Sequence, residues 1–526
     1  MKSFVQTLSG LVFGVLNGFD RLMFRGHVRQ LAYAGGMLRY CNFNGVKLTE
    51  FGKYAERLTT RVIEASEAEA RRLGRPIEYL ASPKLRKEDH ARAIARRDGI
   101  TDGLIAVFKC VEPCWSFNLC GNRATKKLEF RPELRKCLHL YHYYQHPRFG
   151  FLYARVQTWF PFAMQIGLNG REWLARQLDQ AGLRYRRADN CITWVEDVAA
   201  AQAFLDVQLQ VNWASQLQEI GSWVHPLQAD VLGRLHAGYY WSLKQSEWAS
   251  DVLFAKPSEL HKRYGAYLRY AIADLASADV LRFLGRKLTA DGQVNGHYAD
   301  EILSDLGRRV DGVRIKHRAG ENSIKMYDKA GGRVLRVETT INDPSDFKVY
   351  RTKETDPHGA KDWRVLRSGV ADIHRRAQVS QAANERYLQA LAAVDYQAPL
   401  QQLLEPLGQR VREPGGGERK LRGLTPLVGQ DAALLEAVGR AEFTVNGLRN
   451  RDLIAALDGQ PSTDAVERKR RSAHISRQLR LLRAHGILKK VPKTHRYQVT
   501  DRGRLILTAV KATRHASTQK LVGQAA

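Results

Sequence analysis

The 526 residues carry 83 Lys and Arg against 54 Asp and Glu, a formal charge of +29, and a surplus of that size makes a polyanion the default partner. No run of about 18 apolar residues is present, so a membrane-spanning helix and a membrane partner are not expected. Six cysteines in a chain this long fit a reducing, cytoplasmic compartment rather than a disulfide framework.

At about 100 to 200 residues per domain, the chain has room for three or four domains. The apolar stretch Leu8 to Phe19 is interrupted by glycines and lacks an Ala-x-Ala cleavage pattern, so it is not read as a secretion signal. Phe4 to Leu31 reads as strand-like segments, with alternation clearest from Phe19 to Val28. Leu48 to Leu73 is helical in period, and the basic run Lys84 to Arg97 reads as a solvated helix face with phosphate contact as the alternative. Ile105 to Cys110 reads as a buried strand. Cys110, Cys114, Cys120 and Cys137 lie near His139 and His142, but only Cys110 and Cys114 have zinc-like spacing. These cysteines are therefore expected as small buried hydrophobes.

Cys137 to Tyr144, Phe149 to Phe162 and Met164 to Leu168 read as strands of an aromatic-rich sheet, followed by a helix from Glu172 to Ala181. Aromatics beside Arg could stack unpaired bases of single-stranded DNA or RNA, although strand aromatics commonly form core. Val198 to Leu235 reads as helical, Tyr239 to Leu243 as a strand, and Glu247 to Phe254 as a helix on which Glu247 and Asp251 share a face. Further helices are read at Pro257 to Leu275 and Ala278 to Leu288.

Gly312 to Asn342 reads as three strands of an antiparallel meander separated by Gly-containing turns. Alternation puts Ile324, Met326 and Asp328 on one face of the middle strand and Lys325, Tyr327 and Lys329 on the other. Arg336, Glu338 and Thr340 share a face of the third. A helix is read from Val370 to Val394. Asp395 to Pro426, with Pro399, Pro406, Pro414 and Gly415-Gly-Gly among basic residues, reads as a flexible tether.

The last segment has the richest pattern. Apolar periodicity marks helices at Ala432 to Val438, at Leu448 to Leu457 and at Ser472 to His485, where Ile475, Leu479, Leu481 and Leu482 form a stripe and Gly486 stops the helix. A hairpin follows from Ile487 to Thr500, turning at Pro492 to Thr494, and a final helix opens at Asp501. From Pro461 onward 16 Lys and Arg face 3 Asp and Glu. Ser472, His474, Ser476, Arg477 and Arg480 are the candidate groove-reading residues, with Lys493, His495 and Arg496 placed at the hairpin tip to follow a phosphate backbone. A helical protein-protein module is the alternative.

The order helix, helix, helix, hairpin, helix, with Val-Thr-Asp-Arg-Gly-Arg (499–504) after the hairpin, resembles MarR-like winged-helix modules, and this implies double-stranded DNA as partner. Ile-Lys-Met-Tyr-Asp-Lys (324–329) followed by Leu-Arg-Val-Glu (335–338) resembles the strand pair of rolling-circle replication initiators. That resemblance reaches Tyr327, Lys329, Arg336 and Glu338, and it implies metal-dependent cutting of one DNA strand through a tyrosine. The whole chain also resembles a family of bacterial proteins through Arg148 to Phe162 and Lys325 to Lys329, a resemblance that implies no activity.

The expected fold class is therefore α+β and multidomain, with antiparallel or mixed sheets and a tethered C-terminal winged helix-turn-helix. Its expected parts are an α/β region (1–130), an aromatic sheet with helices (131–235), an α+β region holding the meander (236–395), a linker (396–426) and the winged-helix domain (427–526). The leading functional expectation is a DNA-binding protein of a mobile element or replicon whose body cuts DNA with Mg²⁺ or Mn²⁺. Tyr327 and Glu338 would be catalytic, Glu247, Asp251, Asp328 and Glu338 would hold the metal, and Lys325, Lys329 and Arg336 would neutralise developing charge. A non-catalytic sequence-specific regulator and an RNA-binding structural component are the alternatives.

Overall fold

The structure, a computed structural model, describes all residues except 1, 82–84, 189, 226–227, 229, 231–237, 276, 286–301, 310–311, 354, 357, 361, 393, 395–399, 413–419, 440–442, 444–447, 459–463, 492–494 and 516–526. Helix and sheet are mixed throughout, as the α+β reading requires. The helices are α1 (Lys2–Thr7), α2 (Ala34–Phe43), α3 (Phe51–Arg72), α4 (Lys87–Arg97), α5 (Gly170–Gln180), α6 (Val198–Val207), α7 (Trp213–Val224), α8 (Pro257–Arg269), α9 (Ser277–Phe283), α10 (Ile373–Leu391), α11 (Leu400–Gly408), α12 (Gly429–Val438), α13 (Asn450–Asp458), α14 (Ala465–Ala484) and α15 (Asp501–His515). The first thirteen strands are β1 (Val12–His27), β2 (Ile77–Tyr79), β3 (Gly103–Asn122), β4 (Lys127–His146), β5 (Gly150–Gln157), β6 (Met164–Asn169), β7 (Tyr185–Ala188), β8 (Cys191–Val195), β9 (Tyr240–Phe254), β10 (Ile302–Arg309), β11 (Gly312–Ala319), β12 (Asn322–Lys329) and β13 (Val334–Ile341). Short hairpins follow: β14 (Lys348–Arg351) with β15 (Asp362–Val365), β16 (Val411–Arg412) with β17 (Lys420–Leu421), and β18 (Leu488–Lys490) with β19 (Tyr497–Val499).

Two compact units are interleaved along the chain. One comprises Met1–Gly14, Val252–Thr339 and Gln381–Ala526, and the other Val15–Asp251 and Thr340–Ser380. In the second, the strand order is β9-β1-β6-β5-β4-β3-β2; the steps from β1 through β6, β5 and β4 to β3 are antiparallel, and β2 joins β3 in parallel. Period-2 alternation along β1, β4, β5 and β6 sorts their residues between two faces. Leu22, Phe24, Leu140, Leu152, Ala154, Val156, Ile166 and Leu168 form the apolar face, which packs under α2, α3 and α7 through residues such as Tyr40, Val62, Trp213 and Leu217. The opposite face is partly covered by α4, whose Ala91 and Ile94 meet Phe108, Tyr143 and Phe151.

In the first unit the order is β10-β11-β12-β13-β9, with β9 represented by its last residues. The meander expected from Gly312 to Asn342 is present as β11, β12 and β13, and the turn at Ala330, Gly331 and Gly332 uses positive φ at all three residues. Its polar side is not a solvent face. Lys325, Lys329, Arg336 and Glu338 are all buried, and every residue of β13 is buried, whichever side it faces.

Other differences from the sequence reading have local causes. Phe4 and Leu8, one helical turn apart, are both buried, so the chain begins with α1 rather than with a strand. Glu247 to Phe254 is the second half of β9, not a helix. The four-residue spacing of Glu247 and Asp251 suits a helix, but the intervening Trp248 and the following Val-Leu-Phe run favour a strand buried on both faces. The stretch expected as a tether contains α11 and the β16–β17 hairpin, and its Leu403, Leu407 and Leu424 join the core formed by α12 to α15. Proline and glycine density is a poor guide there, because three leucines spaced through the segment are enough to dock it.

Candidate nucleic-acid interface

The C-terminal core is built from Leu434, Leu435 and Val438 of α12, Leu453 of α13, Ile475, Leu479 and Leu482 of α14, and Ile506 and Val510 of α15. Phe443 and Leu448 contribute between the helices. Leu448 exchanges backbone hydrogen bonds with Tyr497 at 2.7 and 2.8 Å, so it adds a third strand position beside β18 and β19 rather than starting α13. Arg422 grips Asp431 with both guanidinium nitrogens at 2.7 Å, which ties the preceding segment to α12 and, with Thr425 donating too, holds the Asp431 carboxyl below its usual range.

Helix α14 starts two turns earlier than its apolar stripe suggests. Asp464 caps it by accepting from the amides of Val466 and Glu467, and Glu467 stands at the position that completes an acidic first turn. The helix ends in a Schellman arrangement: Gly486 N–H donates to Arg483 O, Ile487 N–H donates to Leu482 O, and Gly486 takes φ +71°. The candidates Ser472, His474, Ser476, Arg477 and Arg480 consequently lie from the middle of the helix onward rather than at its N-terminal end. The first turns instead carry Arg468, Lys469 and Arg470, all exposed.

His474, Ser476, Arg477 and Arg480 are exposed, and Ser472 is half-buried. The two serines bind within the protein: Asn450 Nδ2 donates to Ser472 O and to Ser476 Oγ at 2.8 Å each, and Ser472 Oγ donates to Asn450 Oδ1 at 3.3 Å. They fasten α13 to α14. Lys489, Lys490 and His495 are exposed along the hairpin and Arg496 is half-buried, while Lys493 lies outside the described residues.

Among the residues expected to be catalytic or metal-binding, Lys325 Nζ donates to Glu338 Oε1 at 2.7 Å in a buried ion pair. Tyr327 is half-buried, stands opposite Arg314 in the β11–β12 register, and has Lys329 Nζ 5.5 Å from its ring centroid. Asp328 accepts from Gly332 N–H at 2.8 Å and lies 3.7 Å from His261, and burial raises its carboxyl above the usual range. Asp251 is fully buried against Arg171 at 2.9 Å. That pairing makes Asp251 a structural anion and removes it from the metal set.

Glu247 finds a different acidic neighbour. Its carboxylate and that of Asp20 on β1 have oxygens within 4.8 Å of each other, close enough for both to ligate one cation. Asn190 Nδ2 donates to both oxygens of Asp20 at 3.1 and 3.0 Å. Arg21 is affected as well: burial opposes its charge, but Glu247, Glu88 and Asp20 outweigh that and raise its pKa. Asp20 escapes sequence reasoning because a single acid in an apolar strand carries no spacing signal, and its partner sits 227 positions away, from 20 to 247.

The six cysteines are free, and four of them are buried. His139 and His142 are buried imidazoles whose pKa burial lowers to about 4. Among the described residues no helix is long and apolar enough to cross a membrane. Comparison with family models, curated proteins and solved structures gives no match for this chain.

Proposed function

We propose that the chain is a DNA-binding protein, acting at a mobile element or replicon, whose C-terminal segment works as a winged helix-turn-helix on duplex DNA. The observation that carries this reading is the two-sided character of α14. Ile475, Leu479 and Leu482 fill the core, while Lys469, Arg470, His474, Arg477 and Arg480 are exposed along the same twenty-residue helix. An α-helix fits the major groove, Arg pairs bidentately with guanine, and Lys neutralises phosphate. The hairpin beyond α14, with Lys489 and Lys490, suits the adjoining backbone.

The test is fluorescence anisotropy of the full chain on a short labelled duplex over a salt series. Lys469→Ala/Arg477→Ala should weaken binding about tenfold or more and flatten the plot of log affinity against log salt by about 1 per phosphate left without its cation. An unchanged slope and affinity would overturn the reading.

The Asp20–Glu247 pair supports a second reading, in which the body cuts a strand with Mg²⁺ or Mn²⁺. A metal held there would polarise a phosphate. Supercoiled plasmid incubated with either metal should be nicked by the native chain and left intact by Glu247→Gln. Absence of nicking by the native chain ends this reading and leaves the DNA-binding one standing.

A further inference from the structure

The sheet face that α4 partly covers is left open over β9, β1, β6 and β5, and this open part concentrates cations. Cross-strand register sets Tyr141, Arg155, Gln165 and Arg25 directly opposite one another in a row over β4, β5, β6 and β1. Directly opposed residues share a face, with Cβ atoms about 5 Å apart, so the row is continuous. Ser242 Oγ donates to Arg25 O at 3.3 Å, which brings β9 and its exposed Lys244 alongside. Tyr153 and Met23 form the next row across Gly167, whose missing side chain leaves room for the Tyr153 ring. At the end of β1, Arg29 lies over the Tyr240 ring at 3.9 Å, beside His27.

One half of this face is fixed and the other is not. Glu112 accepts from Tyr141 through both oxygens at 2.8 Å, from Arg155 at 2.9 Å, and is bridged by Lys87 at 3.1 Å. Arg155 on β5 is thereby held extended across β4 toward β3, with its Nε buried and without a hydrogen-bond partner among the described residues. The side chains of Arg25 and Lys244 have no hydrogen-bond or ion-pair partner among the described residues. Although Lys244 is exposed, partial desolvation beside the sheet, and then Arg155 and Arg25, hold its pKa below the usual lysine range. Folding thus sets Arg25 and Arg155 beside Lys244 at an electrostatic cost to the Lys244 ammonium, which a bound anion would relieve.

We propose that this face binds the backbone of an extended single-stranded nucleic acid, with Arg25, Lys244 and Arg155 on successive phosphates and Tyr153 and Tyr240 against the bases. A continuous cross-strand row suits an extended chain, and half-buried tyrosines beside arginine are a stacking platform for unpaired bases. A duplex presents no unstacked bases to such a surface. The proposal takes from the DNA-binding reading only that the ligand is nucleic acid, and it involves a different unit of the chain from α14.

The experiment compares the full-length native chain, Arg25→Ala/Lys244→Ala and Lys469→Ala/Arg477→Ala on three labelled probes: oligo-dT, oligo-U and a blunt duplex. Circular dichroism checks that each variant is folded. Arg25→Ala/Lys244→Ala should bind a single-strand probe about tenfold or more weakly, with the salt slope flattened by about 0.7 for each phosphate left without its cation, and should keep duplex binding. The α14 variant should show the converse. Oligo-dT and oligo-U separate DNA from RNA, and weakening on either supports the proposal. Unchanged single-strand binding by Arg25→Ala/Lys244→Ala overturns it even if α14 proves to bind duplex. An equal weakening on all three probes also overturns it, because the face would then be a nonspecific cationic patch.

Discussion

Lys325 and Glu338 show how little a strand pattern says about whether a charge meets water. Alternation places Lys325 with Tyr327 and Lys329 on a polar side that sequence alone leaves open to solvent. The structure buries the Lys325–Glu338 pair at 2.7 Å, with Glu338 on a strand buried along its whole length. Removing one member leaves the other as an uncompensated buried charge, so Lys325→Ala should cost about 3 to 5 kcal/mol, read as a drop in the urea midpoint of the full chain. Glu338→Ala should cost as much. Inactivity of that variant therefore says nothing about chemistry unless the protein is first shown to be folded. Arg171 and Asp251, both without exposed side-chain surface, obey the same rule, and Asp251→Ala should be at least as damaging.

Helix α14 is legible in the sequence only where it is amphipathic. Its stripe begins at Ile475, so periodicity starts the helix at Ser472, but two further turns precede it in which Val466 is 76% exposed and no apolar face exists. The signal for those turns is polar: Asp464 followed three residues later by Glu467, the spacing of a cap and an acidic first turn. Asp464→Ala should destabilise the C-terminal segment by about 1 kcal/mol, measurable by hydrogen exchange of the α14 amides. It should leave the position of Arg477, in the second half of the helix, unchanged. On the proposed DNA-binding reading, the earlier start adds the exposed cations Lys469 and Arg470, in the first half of the helix, to those offered to a groove. The β4, β5 and β6 strands, by contrast, lie where expected except at two ends: β4 reaches back to Lys127 and so runs through the boundary expected at 130/131, and β5 stops at Gln157, the rest of the expected strand to Phe162 being a turn.

Across the whole molecule, buried imidazoles make stability depend on acidity. His139, His142, His225 and His317 are each buried, and burial lowers each pKa to about 4 from an ordinary value near 6.5. The unfolded chain takes up these protons first. The stability they contribute is complete above about pH 6.5 and is lost as pH falls toward 4, by up to about 3 kcal/mol per imidazole at 1.36 kcal/mol per pKa unit. Thermal midpoints measured from pH 7 to pH 4.5 should fall steadily, and a flat profile would show that these residues are hydrated in solution. The sequence by itself determined the charge, the α+β character, the strands around Phe149 to Leu168, the meander and the helical order of the C-terminal segment, because composition and short-range periodicity act over a turn or a strand. Tertiary structure alone decided that the units interleave, that Leu403 and Leu424 dock instead of tethering, that Glu247 meets Asp20 rather than Asp251, and that Arg25, Arg155 and Lys244 converge. Each of those depends on which strands become neighbours, and pairing between segments more than a hundred residues apart is set by burial of whole faces, to which no local spacing in the chain bears witness.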